Sequence, residues 1–248
     1  KTKYFIVLGG FIREGLDSIG NIDIDLSRFK EPTCLTMELG FLDDTGMEQK
    51  GIGCNSYQIW VYPNENKTKQ LQKGLIITHK MTDEIGQKLS DGAKVLLMPD
   101  STEFVKYQVS GLFMTDYWNY RMFKTICESN KKAVSPGTLG ILTNPEHPIF
   151  NYFPTEMHTN WQWFPIIKGS HPAILDNLGK EYRPIVQVID NIERNHKLGL
   201  IFEFQIGKGK LLICMSDLEK TTKYPEGRAF YESVLRYMHS DKFCPNTH

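Results

Sequence analysis

Few residue types can do covalent or metal chemistry, and each needs a particular spacing. A nucleophile elbow sets Ser or Cys between small residues in a strained strand-to-helix turn. Ser101 follows the strand-like run Val95–Met98 but has no flanking Gly, and Cys127 falls inside a helical pattern. Ser after a strand more commonly caps a helix, so neither residue is read as a nucleophile. Gly207-Lys208-Gly209-Lys210 has the composition of a phosphate loop. It precedes a strand pattern, so no helix N-terminus would face a phosphate, and a hairpin turn is expected. His147, His158 and His171 lie in a Pro-rich stretch without the close pairing of a zinc motif, which leaves them capping and hydrogen-bonding roles. Asp100, Asp116, Glu156, Asp190, Glu203 and Asp217 are scattered acids. Glycoside hydrolysis needs two of them held about 5–10 Å apart, and nothing in the spacing pairs any. No catalytic residue, metal or cofactor is expected.

Aromatic residues form the more suggestive groups. Asp116-Tyr117-Trp118-Asn119-Tyr120 and His158-Thr159-Asn160-Trp161-Gln162-Trp163-Phe164 mix flat rings with hydrogen-bonding groups, the combination that stacks on a sugar face while bonding its hydroxyls. Asp116, Trp118, Asn119, Tyr120, His158, Trp161 and Trp163 are therefore the candidate carbohydrate-binding residues. The competing reading is packing, since Trp and Tyr also supply large buried area. In a strand, Trp161 and Trp163 would share one face.

Two units are expected to position these groups. Over residues 1–65 the pattern alternates with period two, in Asn21–Leu26, in Thr33–Leu42 and in Ser56–Tyr62, with a turn at Asp43-Asp44-Thr45-Gly46 between the last two. These are too few strands to close a sandwich. The chain also opens inside an apparent strand, Tyr4–Leu8, as a trimmed sequence would, so the lack of a signal pattern says nothing about compartment. Asn64–Lys73 is a polar run that reads as the boundary. From about 70 to 248, Leu75–Thr78, Thr82–Leu89 and Val95–Asp100 form a β-α-β unit of an open α/β sheet. A helix is expected over Asp116–Glu128, with strands at Leu139–Leu142 and Ile185–Ile189. A hairpin of Leu198–Phe204 with Lys210–Met215 follows, and a closing helix runs over Pro225–His239, with Phe230, Val234, Tyr237 and Met238 on one stripe.

Charge and composition exclude several partners. Lys and Arg number 29 against 29 Asp and Glu, so no broad field attracts nucleic acid or an anionic membrane. No run approaches the about 18 apolar residues of a membrane span. The five cysteines have no C-x-x-C spacing and read mostly as buried thiols, with Cys34 and Cys54 able to pair if their strands bring them opposite each other.

Nearly the whole chain resembles the C-terminal accessory region of family 2 glycoside hydrolases of the Bacteroidetes type, the β-galactosidase-like enzymes. The first part of the likeness lies in Leu16–Leu26 and in Asn55-Ser56-Tyr57-Gln58-Ile59-Trp60-Val61-Tyr62-Pro63. The second lies in Gly137–Leu142, His147–Phe150, Phe153–Glu156, His158–Trp163, Pro184–Asp190 and Lys197–Glu203. The resemblance implies a partial immunoglobulin-like β-sandwich followed by a flavodoxin-like domain, similar to class I glutamine amidotransferases but without their nucleophile. It also implies a secreted or periplasmic setting and a parent glycosidase whose catalytic barrel precedes this region and carries the catalytic glutamates. Three functions follow as expectations: a non-catalytic accessory region, a carbohydrate-binding module taking an oligosaccharide, or an independent amidohydrolase.

Overall fold

The computed structural model describes residues 21–40, 54–113, 120–132, 137–192 and 194–246. Expectations at Tyr4–Leu8, Leu16–Gly20 and Asp43–Gly46 fall outside them. In the first unit, β1 (Thr33–Leu39) pairs antiparallel with β2 (Asn55–Val61) in a sheet of two strands. Thr33, Leu35 and Met37 are half-buried while their neighbours are exposed, as the alternation requires. Asn21–Leu26 is not a strand: Ile22, Ile24 and Leu26 are exposed and join no ladder among the described residues. Period two is necessary for a half-buried strand but cannot supply the partner edge.

The Cys34–Cys54 pairing is ruled out by register. Cys34 lies opposite Trp60, and β2 begins at Asn55 opposite Leu39, so Cys54 sits at the far end of the ribbon beside Gly40. Most cysteines are also not buried: Cys34, Cys54 and Cys244 are exposed, and only Cys214 is fully enclosed. Burial pushes the Cys214 thiol up to about 12.

The polar stretch read as a linker carries a helical turn, α1 (Thr68–Leu71), seated on the main body. The next elements follow the expected order. β3 (Ile76–Thr78), α2 (Asp83–Ser90) and β4 (Lys94–Leu97) form a parallel β-α-β unit, and the Thr82 hydroxyl caps α2 by accepting from Ile85 N at 3.3 Å. After α3 (Tyr120–Ser129) come β5 (Thr138–Thr143), α4 (Phe164–Lys168), β6 (Ala173–Ile174), β7 (Val186–Asp190), β8 (Lys197–Ile206) and β9 (Gly209–Cys214). The chain closes with α5 (Leu218–Thr221) and α6 (Pro225–His239).

The main sheet is mixed, in the order β3-β4-β9-β8-β7-β5, with the short β6 pairing to β8. β3, β4 and β9 run parallel, while β9-β8, β8-β7 and β7-β5 are antiparallel. On the parallel side both faces are covered. Val95, Leu97 and Leu211 meet Leu89 of α2, and Leu96, Met98, Leu212 and Cys214 point into the main core beneath α6. That double burial explains the uninterrupted apolar run of β4. On the antiparallel side, Ile141 and Val188 are buried, whereas Leu142 and Ile189 face outward and are exposed.

The hairpin turn at Gly207-Lys208 brings β9 tight against the end of α2. Gly207 has φ +56°, and a Cβ on Gly209 would lie 2.1 Å from the Leu89 carbonyl oxygen. The glycines there serve a turn and a close backbone approach, not a phosphate.

Candidate functional site

In an open α/β sheet, ligands bind outside the carboxyl ends of the parallel strands. Here that edge is formed by the residues after β3, β4 and β9, namely His79, Met98–Asp100 and Ser216–Asp217. His79 and His171 both hydrogen-bond carbonyls at the end of β4. His79 Nδ1 is 2.7 Å from Met98 O, and His171 Nε2 is 2.8 Å from Pro99 O. A carbonyl only accepts, so these ring nitrogens donate.

Asp217 and Glu219 converge on His79 from the turn after β9. Glu219 Oε2 lies 3.6 Å from His79 Nε2, and one ligand atom from each of the three residues fits within 4.8 Å of the others. Among the described residues this is the group able to hold a metal ion. Asp217 is the N-cap of α5, accepting from Lys220 N at 3.2 Å, and its other oxygen meets Lys220 Nζ at 2.8 Å. Burial alone would raise its pKa, but the Lys220 ammonium and amide outweigh burial and hold it below the ordinary value. On the far side of Glu219, Oε1 accepts from Gln72 Nε2 at 3.4 Å and from Tyr231 Oη at 3.5 Å. Spacing rules could not find this group, because its members come from distant parts of the chain. The available signal was positional: His79 and Asp217 each follow an apolar strand run.

The aromatic candidates divide. Asp116, Trp118 and Asn119 lie outside the described residues, and Tyr120 opens α3. Trp161 and Trp163 do not share a strand face: residues 161–163 form a 3-10 turn leading into α4. Trp161 is 80% exposed and Trp163 is 0% exposed. With about three residues per 3-10 turn, positions i and i+2 point apart, so the period-two expectation fails here. Trp163 packs edge-on against Phe153 at 5.2 Å, meets Phe230 at 5.1 Å, and donates from Nε1 to Thr155 Oγ1 at 2.9 Å. Met157, His158 and Phe164, near Trp161 in the sequence, are also exposed, and Asn160 donates to Glu156 Oε2 at 3.3 Å.

The other expected roles are structural. His147 caps the turn at Pro148–Phe150 through Nδ1 and packs edge-on to Tyr237 at 5.2 Å, and burial lowers its pKa. His158 is exposed, 3.9 Å from Glu156. Ser101 lies in the turn after β4, where its carbonyl accepts from Gln108, and Cys127 lies in α3. Asp190 pairs with Arg194 at 2.6 Å and accepts from the amides of Asn191 and His196, fixing the turn between β7 and β8. Glu203 accepts from Tyr237 Oη at 2.8 Å, and burial raises its carboxyl.

No curated protein matches the chain. Among solved structures, the cytoplasmic protein STM3548 from Salmonella typhimurium is similar at 12% identity, with a TM-score of 0.30 over 84% of this chain and 96% of that one. Residues 76–248 match the family described as "Domain of unknown function (DUF8487)". That span takes in the β-α-β unit, the whole mixed sheet and α6, and by it the chain belongs to the DUF8487 family.

Proposed function

We propose that this chain is a non-catalytic accessory region of a β-galactosidase-like glycoside hydrolase, acting in carbohydrate degradation in a secreted or periplasmic protein. In this reading β1 and β2 belong to an immunoglobulin-like sandwich. The mixed sheet is a flavodoxin-like domain of the class I glutamine-amidotransferase kind, and the partner is a preceding catalytic barrel.

The observation that carries the reading is the seat of Tyr62. It lies next to the end of the Asn55–Pro63 segment, part of the family likeness, stacks on Phe153 with ring centroids 6.2 Å apart, and donates its hydroxyl to the buried Gln162. Gln162 in turn donates to Pro154 O at 2.7 Å. Burial pushes the Tyr62 phenol well above its usual range. A ribbon bolted this way transmits position from one unit to the next, which is what a brace needs. Among the described residues no histidine hydrogen-bonds the Ser101 hydroxyl or the Cys127 thiol, whereas a nucleophile requires its base within about 2.6–3.2 Å, which supports the same reading over the amidohydrolase.

The exposed Trp161 favours a second reading, a carbohydrate-binding module. Its chain neighbour Asn160 has an Oδ1 buried without a partner among the described residues. Two measurements decide. The purified chain is expected to turn over no nitrophenyl glycoside, and titration with galactose, lactose or longer oligosaccharides is expected to leave tryptophan fluorescence unchanged. Turnover that disappears on substituting one internal carboxylate overturns the accessory reading. Saturable quenching lost in Trp161→Ala replaces it with the binding module.

A further inference from the structure

We infer that His79, Asp217 and Glu219 form a site for a divalent transition-metal ion at the carboxyl edge of the parallel strands. Three features of the site point to a cation. The first is the orientation of His79. Because Met98 O can only accept, Nδ1 donates to it, and this bond fixes the ring with Nε2 turned toward the Glu219 carboxylate 3.6 Å away. A backbone carbonyl holding the far nitrogen is also the usual support of a metal-bound imidazole.

The second feature is that both carboxylates are oriented from behind. Asp217 is held through Oδ1 by the α5 amide of Lys220, and Glu219 through Oε1 by Gln72 and Tyr231, which themselves bond at 3.0 Å. One carboxylate oxygen of each still lies within 4.8 Å of a His79 ring nitrogen and of the other. The Lys220 ammonium that meets Oδ2 sits on a side chain 80% exposed, and swinging it into water costs little. The third feature is scale. Ligands at about 2.1 Å from one ion lie roughly 3.4 Å apart in tetrahedral geometry, so the present separations of up to 4.8 Å close by small side-chain rotations.

One imidazole and two carboxylates give a donor set of charge −2, suited to Zn²⁺ or Mn²⁺ and poorer for Mg²⁺, which keeps its water and prefers oxygen. Three protein ligands with Glu219 at the surface leave a coordination position for water or an anionic ligand.

Calorimetric titration of the whole chain with Zn²⁺ after EDTA dialysis tests the site. One equivalent is expected to bind and raise the melting temperature, with Mn²⁺ weaker and Mg²⁺ weakest. His79→Ala and Glu219→Gln are each expected to lower Zn²⁺ affinity about tenfold or more. Asp217→Asn retains the helix cap and is expected to do the same. Glu219 is exposed, so its variant is expected to keep the fold, as circular dichroism would verify. With Co²⁺, no thiolate charge-transfer band is expected, which separates this site from the exposed Cys34, Cys54 and Cys244. Absence of stoichiometric Zn²⁺ binding, unchanged affinity in Glu219→Gln, a thiolate band, or Mg²⁺ binding as tight as Zn²⁺ would each overturn the assignment.

Discussion

Trp161 and Trp163 are two positions apart and face opposite environments, which makes them a sharp pair of probes. Trp163 is enclosed by Phe150, Phe153 and Phe230, so Trp163→Ala is expected to cost about 3–5 kcal/mol in denaturant unfolding. Trp161→Ala is expected to change stability by less than about 0.5 kcal/mol, because the exposed indole loses little burial. Glu203 offers a pH test at the same scale. Burial raises its carboxyl, with the Tyr237 hydroxyl partly opposing, so its folded pKa lies above the unfolded one. The protonated form is then the one folding favours: its contribution is full below the unfolded value and is lost as pH rises through the folded one. Glu203→Gln is expected to flatten stability against pH from about 4 upward, as thermal melts across pH would read. An unchanged slope would contradict it. The sequence identified the aromatic residues as notable but could not separate platform from packing, since that depends on a 3-10 turn whose local pattern mimics a strand.

Elements with a strong and locally complete signal were legible. The closing helix occupies residues 225–239 as its apolar stripe implies, with Phe230, Val234, Tyr237 and Met238 buried, and the β-α-β unit and the Gly-Lys-Gly hairpin lie where the pattern places them. What failed was whatever depended on a distant partner. Asn21–Leu26 alternates but finds no neighbouring strand among the described residues, and the polar Asn64–Lys73 carries the seated helical turn α1 because His239 and Tyr231 of α6 meet Leu71 O and Gln72. The metal-competent group was invisible for the same reason. The hairpin gives a test at this scale. Gly209→Ala places a methyl against the Leu89 and Ala93 carbonyls and is expected to destabilise by about 1–3 kcal/mol, whereas Gly179→Ala, with open space around it, is expected to be near neutral. Equal effects would mean that the α2–β9 approach is looser than described.

At the scale of the whole molecule, the ribbon and the mixed sheet are joined through Tyr62, Leu71 and the aromatic core they touch. One cooperative thermal transition is expected, and Tyr62→Ala is expected to lower it, leaving Gln162 Oε1 buried without its donor. Two transitions in the wild-type chain would mean that the units are independent and that a bracing role lacks its mechanical basis. No described helix is long and apolar enough to cross a membrane. The central claim is that the chain works as part of a larger glycosidase. An antibody raised against it, used to deplete an extract of the producing cells, tests that most directly. The account predicts that the captured polypeptide is far larger than this chain and removes β-galactosidase-type activity with it. Capture of a polypeptide no larger than this chain, with glycosidase activity left entirely in the extract, would contradict it.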